Sequence, residues 1–212
     1  MRFPPLETSE NVQIVRDETV WSGRFQLDVV TFRQRRFDGT LSGERKWELF
    51  RRGRAAAVLP YDPWTDQVVL MEQFRLPALA AGMEPVMVEV PAGLCDAGED
   101  PAATVQREIQ EEMGIETDRL EPIGDFLLTP GGSDERCTLF AGRVRAPEAG
   151  PDGDAGNFGL ASENEDIRRR VWPAERAIEA AIAGSFPNSV TAIALLWLAA
   201  RRERLRAQWS GT

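Results

Sequence analysis

Residues 93–115 read Gly-Leu-Cys-Asp-Ala-Gly-Glu-Asp-Pro-Ala-Ala-Thr-Val-Gln-Arg-Glu-Ile-Gln-Glu-Glu-Met-Gly-Ile, and this stretch predicts a loop that leads into one short helix. Asp100 can accept hydrogen bonds from the first backbone N–H groups of the helix, and Pro101 suits its first turn. Gly114 stands where a residue in the left-handed conformation commonly ends a helix. The sequence itself therefore marks both ends of this helix.

Three carboxylates crowd one face of the predicted helix. Glu108 and Glu112 lie four residues apart, and Glu111 lies three residues after Glu108, so all three side chains share one face. Like charges in this arrangement repel and weaken an isolated helix, and a hard divalent cation with oxygen ligands would compensate for the repulsion. A solvated acidic face is the alternative interpretation of these residues.

The composition excludes several classes of site. The 212 residues include no histidine, which excludes Ser-His and Cys-His catalysis and the usual zinc sites. Acid-base chemistry would then rest on carboxylates or on metal-bound water. The net charge of −9 argues against a nucleic-acid partner. Two cysteines without metal-ligand spacing, and the lack of a long apolar run, predict a cytoplasmic protein with free thiols and no membrane span.

The chain divides into two predicted parts near residue 53. Residues 11–50 read as a meander of strands that would expose an apolar face if left alone. From residue 54 onward, strand-like stretches are followed by loops and helices. The predicted strands are 12–15, 25–32, 46–50, 55–60, 67–75, 86–90, 122–128 and 137–144; the loops are 76–84 and 146–166; and the later helices are 173–183 and 189–207. This order predicts a mixed sheet between helices with an N-terminal β appendage.

The pattern within residues 93–115 is Gly, five residues, Glu, seven residues and then Arg-Glu-Ile-x-Glu-Glu-x-Gly-Ile. It resembles the signature of the Nudix hydrolases. The resemblance implies the Nudix fold of the α/β (α+β) class: a mixed β-sheet sandwiched between helices, with a small N-terminal antiparallel β-sheet domain. We therefore expect an N-terminal domain for dimerisation and substrate binding over residues 1–53 and a catalytic domain over residues 54–212.

Later segments narrow the resemblance to one branch of that family. Pro130 lies sixteen residues beyond Gly114, a spacing similar to that of the bacterial ADP-ribose pyrophosphatases. The stretches 72–75, 163–168 and 192–198 also resemble those enzymes. Together these segments imply an enzyme that cleaves a diphosphate.

The resemblance implies a Mg²⁺ site, for which Mn²⁺ could substitute. The metal ligands would be oxygen atoms of Glu108, Glu112, Glu165 and the backbone of Ala92. Glu163 matches the general base, and Glu111 assists or takes a second position. Without the signature, the acids around residue 163 would be interpreted as a solvated turn. Arg107 and Glu99 would form a structural ion pair.

Substrate binding is assigned by the same resemblance to residues in two parts of the chain. These residues are Arg75, Glu135, Arg52, Gly132, Arg24 and Trp47. Arg75 matches a residue that binds phosphate or ribose, and Glu135 matches one near the terminal ribose. The enzymes of this branch are homodimers with exchanged N-terminal sheets, which implies a domain-swapped homodimer here. Arg24 and Trp47 depart from the family pattern, because the arginine and the aromatic ring expected against adenine have exchanged positions.

The expected reaction is Mg²⁺-dependent hydrolysis of the pyrophosphate bond of ADP-ribose to AMP and ribose 5-phosphate. One alternative is the same chemistry on another nucleoside diphosphate sugar, such as GDP-mannose. Another is a non-catalytic nucleotide sensor that keeps the fold, although a pure binder has no need of the full set of acids. A small-molecule ligand, rather than nucleic acid or membrane, is expected in each case.

Overall fold

The computed structural model describes residues 3–160, 162 and 164–211. The chain divides into two compact units. The N-terminal unit comprises Met1–Arg54 and Leu127–Arg136, and the main unit comprises Ala55–Phe126 and Cys137–Thr212. A segment from the middle of the chain therefore belongs to the N-terminal unit.

The N-terminal unit is built on a small antiparallel sheet, as the sequence predicts. Its strands are β1 (Val12–Ser22), β2 (Gln26–Gln34) and β3 (Arg45–Arg51), with β2 in the centre. At the start of β2, fully buried residues alternate with half-buried ones. Because successive side chains of a strand point to opposite faces, one face of this sheet is covered more completely than the other.

Arg51 fastens a distant segment to this sheet. Its side chain is buried, with Nη1 3.0 Å from Asp28 Oδ2 and Nε 2.7 Å from Asp134 Oδ2. Asp134 also accepts, through Oδ1, a hydrogen bond of 2.7 Å from the backbone N–H of Arg52. Buried charges are costly unless partners neutralise them, and here two carboxylates flank one guanidinium. These contacts explain why Leu127–Arg136 joins the N-terminal unit.

Within the described residues, the main unit contains one larger sheet and four helices. The strands are β4 (Arg54–Asp62), β5 (Gln67–Phe74), β6 (Val86–Glu89), β7 (Ala92–Leu94), β8 (Arg119–Leu127), β9 (Arg136–Arg143), β10 (Asp154–Phe158) and β11 (Ile167–Pro173), and the helices are α1 (Leu76–Ala80), α2 (Pro101–Met113), α3 (Ala174–Ile182) and α4 (Ser189–Trp209). The strand order is β10-β11-β5-β4-β9-β8, with β6 paired to β5 and β7 paired to β4. Among the described residues, none of the helices combines the length and the apolar character needed to cross a membrane.

Strands β4 and β5 are buried on both faces. Every residue from Ala55 to Asp62 is buried, and so is every residue from Val68 to Met71. Since alternate side chains point to opposite faces, other elements must cover both sides of the sheet. One core cluster joins α2 to several strands and includes Val105, Ile109, Met113, Ala56, Val69 and Ile167. The predicted sheet between helices is thus confirmed.

Short elements lie where the sequence predicts loops, among them β7, which overlaps the start of the predicted loop before α2. α1 falls within predicted loop 76–84, and β10 falls within predicted loop 146–166. α1 has five residues, which is too short for helical periodicity to show. β10 reads Asp-Ala-Gly-Asn-Phe and contains no β-branched residue. Contacts with the rest of the unit, rather than local propensity, account for this strand.

Helix α2 begins and ends where the sequence predicts. The Asp100 side chain accepts a hydrogen bond of 3.1 Å from the backbone N–H of Ala102. Gly114 has a φ of 60°, and its N–H donates to the carbonyl of Gln110 at 2.9 Å. An added Cβ on Gly114 would lie 2.5 Å from the Phe158 ring, so both the conformation and the space require glycine there.

Arg169 on β11 is a buried cation that bonds to backbone carbonyls. Its guanidinium donates to the carbonyl of Met113 at the end of α2, and to the carbonyl of Ala155 on β10 at 3.1 and 2.7 Å. The guanidinium also lies 4.1 Å from the centre of the Phe158 ring. A cation at a helix C-terminus is favourable. Arg169 therefore ties α2, β10 and β11 together.

We expect Arg169→Met to lower the free energy of unfolding by about 2–4 kcal/mol, because the carbonyls of Met113 and Ala155 lose their hydrogen bonds from the guanidinium, at about 1–3 kcal/mol each. Urea denaturation measures this change. The neighbouring Arg168 has a side chain that is 54% exposed, so Arg168→Met is the matched control and should change the value by less than about 0.5 kcal/mol. Equal losses in the two variants would contradict the role given to Arg169.

Candidate functional site

The carboxylate of Glu112 is the most deeply buried acid on the predicted acidic face of α2. The residue is only 4% exposed, and its Oε2 accepts a hydrogen bond of 3.0 Å from the backbone N–H of Ala92 on β7. Burial, together with the charges of Glu108 and Glu165, raises the pKa of Glu112 to about 8 against the opposing effects of that hydrogen bond and of Arg75. A carboxylate in this setting is a strong attractor for a cation.

Glu108 lies against the backbone of Gly93. A Cβ built on Gly93 would stand 1.7 Å from Glu108 Oε1 and 2.0 Å from its Cδ, so no side chain fits at residue 93 while Glu108 keeps its position. Burial raises the pKa of Glu108, and the charges of Glu111 and Glu165 act in the same direction. The first glycine of the signature therefore provides the space for a carboxylate.

Glu165 is held by two hydrogen bonds to Leu160. Its Oε2 accepts from the backbone N–H of Leu160 at 3.3 Å, and its own N–H donates to the carbonyl of Leu160 at 3.2 Å. Gly159 has a φ of 104°, and an added Cβ there would lie 2.8 Å from the Cβ of Glu165. Glu163, the predicted general base, lies outside the described residues.

The described acids are close neighbours without forming a compact cluster of ligands. Among residues 3–160, 162 and 164–211, no group of three acidic or cysteine side chains is close enough to hold a metal ion as it stands. Glu108, Glu112 and Glu165 nevertheless lie near enough for Glu165 to raise the pKa of the other two. Their donor atoms are all carboxylate oxygens, which suit a hard divalent cation. The residues present therefore fit such an ion in chemistry and charge.

Arg107 partly neutralises the acidic face. Its Nη1 lies 2.7 Å from Glu108 Oε1 and 3.1 Å from Glu111 Oε2. Its Nη2 lies 3.5 Å from Glu99 Oε2, which is the ion pair that the sequence predicts between loop and helix. No described guanidinium or ammonium lies within ion-pair distance of Glu112. The most buried acid of the face is thus the one without a cationic partner.

Arg75 lies at the end of β5 and binds a buried acid. Its Nε and Nη2 are each 2.7 Å from Glu89 Oε2. The Arg75 side chain is 38% exposed, whereas that of Glu89 is 4% exposed. Since the positive charge of Arg75 lowers the pKa of Glu112, the predicted substrate-binding arginine and the predicted metal ligands are neighbours within the main unit.

In the N-terminal unit, three predicted substrate-binding residues come together. Arg52 Nε lies 2.9 Å from Glu135 Oε2, and the Arg52 guanidinium stacks 4.3 Å from the centre of the Phe25 ring. The carbonyl of Gly132 accepts from the backbone N–H of Phe50 at 2.8 Å. Segment Leu127–Arg136 thereby brings an acid and a glycine to the end of β3.

The structure does not bring Arg24 and Trp47 together within one chain. Trp47 pairs with Val30 across β2 and β3, whereas Arg24 lies in the turn before Gln26. At least four strand residues, or about 13 Å, separate these positions. Trp47 instead lies 4.6 Å below the Arg45 guanidinium and lines a cavity of about 320 Å³ in this unit.

Sequence reasoning misses Glu89. It is the fourth residue of an otherwise apolar stretch that reads Val-Met-Val-Glu-Val, and a single acid there is equally typical of a strand end that faces solvent. Its burial and its pairing with Arg75 depend on contacts across 14 residues of chain. The one available signal is a charged residue at a position where the strand pattern predicts an apolar one.

Comparisons with known proteins show which family this chain is similar to. A model of the NUDIX domain matches residues 51–186. The ADP-ribose pyrophosphatase of Escherichia coli (strain K12) is 40% identical over 208 residues, which cover 98% of this chain and 97% of the relative. The GDP-mannose pyrophosphatase of Salmonella arizonae is 28% identical over 191 residues, or 90% of this chain and 96% of the relative. A solved structure of an ADP compounds hydrolase, 20% identical, matches 96% of this chain and 98% of its own with a TM-score of 0.65, and it confirms the fold class.

We expect Gly93→Ala to weaken divalent metal binding by about 10–100-fold, because the new methyl group must displace the Glu108 carboxylate. Calorimetric titration with Mn²⁺ measures the affinity. The free energy of unfolding should change by less than about 1 kcal/mol, since the colliding atoms are the end of a flexible side chain. Gly43→Ala is the control, because nothing lies within 4 Å of its added Cβ. Unchanged Mn²⁺ affinity in Gly93→Ala would count against Glu108 as a ligand.

The raised pKa of Glu112 predicts that the free energy of unfolding of the metal-free protein depends on pH. The folded state holds the proton of Glu112 up to about pH 8, whereas an unperturbed glutamate releases it near 4.5. The free energy of unfolding therefore falls as the pH rises through this window. Glu112→Gln has no proton to lose, so in chelator at pH 9 it should unfold with a free energy roughly 3–5 kcal/mol above that of the parent chain.

Urea denaturation at pH 4 and pH 9 tests this expectation. At pH 4 the parent chain and Glu112→Gln should agree to within about 1 kcal/mol, because both are neutral at this position. Glu116→Gln, at an exposed position after α2, is the control. Its free energy of unfolding should differ from that of the parent chain by the same amount at both pH values. A difference that stays the same at both pH values would contradict the burial of an ionisable group at Glu112.

Proposed function

We propose, because this chain belongs to the Nudix family, that it hydrolyses the pyrophosphate bond of ADP-ribose to give AMP and ribose 5-phosphate. The observation that carries this proposal is the 40% identity to the Escherichia coli ADP-ribose pyrophosphatase over 98% of the chain. The similarity extends over both units, whereas the signature alone would indicate only the family. The protein is accordingly an enzyme, and its substrate is a small nucleoside diphosphate sugar.

Nudix ADP-ribose pyrophosphatases generally use a divalent metal ion, and we propose Mg²⁺, with Mn²⁺ as a substitute. The residues that would hold it are Glu108, Glu112, Glu165 and the backbone carbonyl of Ala92. When bound, such an ion polarises the diphosphate and lowers the pKa of a coordinated water. The raised pKa values of Glu108 and Glu112 support this site, because a cation would stabilise the charged carboxylates that burial, and to a smaller extent their mutual repulsion, disfavour.

We propose Glu163 as the general base that takes a proton from the attacking water. This role rests on the sequence, in which Glu163 stands two residues before Glu165. Glu165 itself is bonded to Leu160 and lies near enough to Glu112 to raise its pKa. Glu111, bonded to Arg107, would assist from the exposed side of the acidic face.

The remaining proposed contacts concern the substrate. Arg75 would bind the diphosphate, since guanidinium groups bind phosphate oxygens through paired hydrogen bonds. Glu135 would lie near the terminal ribose, Arg52 and Gly132 would bind the substrate, and Trp47 would stack on the base. Because Arg24 and Trp47 lie apart within one chain, both could contact the same base only if one of them came from a second chain.

We propose a domain-swapped homodimer in which residues 1–53 serve dimerisation and substrate binding and residues 54–212 serve catalysis. Exposed apolar side chains on β1 support an interface there: Val20 is 52% exposed and Trp21 is 67% exposed. Large apolar side chains that stand free on a sheet commonly mark a contact surface. Sedimentation equilibrium would distinguish a dimer from a monomer.

A second candidate substrate is GDP-mannose. The similarity to the Salmonella arizonae GDP-mannose pyrophosphatase, 28% over 90% of the chain, favours the same reaction on a different base and sugar. Arg24 and Trp47, the two residues predicted to contact the base, lie apart within one chain. The two candidate substrates differ in that base.

We expect hydrolysis of ADP-ribose to exceed that of GDP-mannose by at least about tenfold in kcat/KM, and chelator to abolish both. The assay treats the products with alkaline phosphatase, so that phosphate appears only after the diphosphate is cleaved. Glu108→Gln should lower kcat by about 100-fold or more with an unchanged unfolding midpoint, and Glu116→Gln should remain fully active. Faster cleavage of GDP-mannose would overturn the substrate assignment, and tight ADP-ribose binding without turnover would indicate a sensor.

A further inference from the structure

Glu89 carries a negative charge in the interior of the main unit. The residue is 3% exposed and ends β6. A buried carboxylate is costly unless its oxygens are hydrogen bonded and its charge is paired. Glu89 meets both conditions, since Oε2 accepts from Nε and Nη2 of Arg75 and Oε1 accepts from Nδ2 of Asn188 at 2.6 Å. Both oxygens are therefore used within the protein.

Asn188 is in turn fixed by the beginning of α4. Its Oδ1 accepts from the backbone N–H of Thr191 at 3.0 Å and from the Thr191 hydroxyl at 3.2 Å. The Thr191 hydroxyl oxygen accepts from the backbone N–H of Val90 at 3.1 Å, and Thr191 is fully buried. Because the cap occupies the amide oxygen, the amide nitrogen must point away from the helix, toward Glu89.

These bonds determine the orientation of the Arg75 guanidinium. The Glu89 carboxylate occupies Nε and Nη2, and Nη1 has no hydrogen-bond partner among the described residues. A planar guanidinium held along one edge presents its other edge in a fixed direction. Arg75 is partly exposed and acts electrostatically on Glu112. The free edge is thus available to an anionic ligand beside the acidic face of α2.

We propose that Glu89 and Asn188 are positioning residues that orient Arg75 toward the diphosphate of the substrate. The inference rests on the proposed function for the identity of that substrate. Neither residue would touch the substrate, and each would act through Arg75. A purely structural role, in which the same bonds only anchor α4, predicts a loss of stability without a specific loss of substrate affinity.

We expect Glu89→Gln to raise KM for ADP-ribose about tenfold or more and to change kcat by less than about threefold. A glutamine has one acceptor oxygen, so it cannot serve both Arg75 and the amide nitrogen of Asn188. In the Arg75→Ala background the same substitution should leave KM unchanged, because the residue through which Glu89 acts is gone. An equal rise in KM in both backgrounds, or no rise in either, would overturn the proposal.

Asn188→Ser provides a variant that separates positioning from helix capping. Serine is a good N-cap but lacks an amide nitrogen for Glu89, so KM should rise about 2–5-fold while the unfolding midpoint stays near that of the parent chain. Asn188→Asp keeps the cap and places a second carboxylate against Glu89, so it should raise KM at least as much. A lower unfolding midpoint with unchanged KM in Asn188→Ser would show a structural role and contradict the inference.

Calorimetric binding of ADP distinguishes failure of this inference from failure of the proposed function. If the parent chain does not cleave ADP-ribose, the proposed function fails, and the dissociation constant for ADP then replaces KM in the same set of variants. The positioning role would still be supported if Glu89→Gln raised the Kd for ADP in the parent chain but not in the Arg75→Ala background. Equal Kd values in the parent chain and Glu89→Gln would overturn it whatever the natural substrate is.

Discussion

Much of the main unit depends on one buried carboxylate, that of Glu112. Its oxygen needs a donor in the interior, and the backbone N–H of Ala92 meets that need only if α2 lies close against β7. The same close approach places the Glu108 side chain against the backbone of residue 93, where only glycine leaves enough space. The packing of α2 against β7 and the placement of these two acids are therefore a single constraint.

The buried acids Asp28 and Glu112 lie in two different electrostatic environments. In the N-terminal unit, Arg51 lies between Asp28 and Asp134 and neutralises the interior with the protein's own guanidinium. In the main unit, Arg107 pairs with the more exposed acids, and Glu112 has no such partner among the described residues. The ion pairs of Arg51 favour a single packing arrangement of the N-terminal unit. Glu112, which has no such ion pair, is suited to binding a cation from solution.

Local patterns in the sequence predict α2 and its acids, because helix caps and the spacing of carboxylates act over four residues or fewer. Pairings between distant residues are not visible in such patterns. Arg169 bonds to the end of α2 across 56 residues, and Asn188 bonds to Glu89 across 99 residues. Nothing in the local composition of either partner identifies the other, so β10 and the support of Arg75 emerge only from the folded chain.

The bond between Arg51 and Asp134 spans 83 residues, and this has a consequence for the order of folding. The N-terminal strands leave the ribosome first, yet their unit lacks its second carboxylate until the segment Leu127–Arg136 has been made. The first part of the chain therefore cannot reach its final form ahead of the rest. For the same reason, a fragment cut after Arg54 would carry a buried guanidinium with half of its compensation missing, and it should not be treated as an independent module.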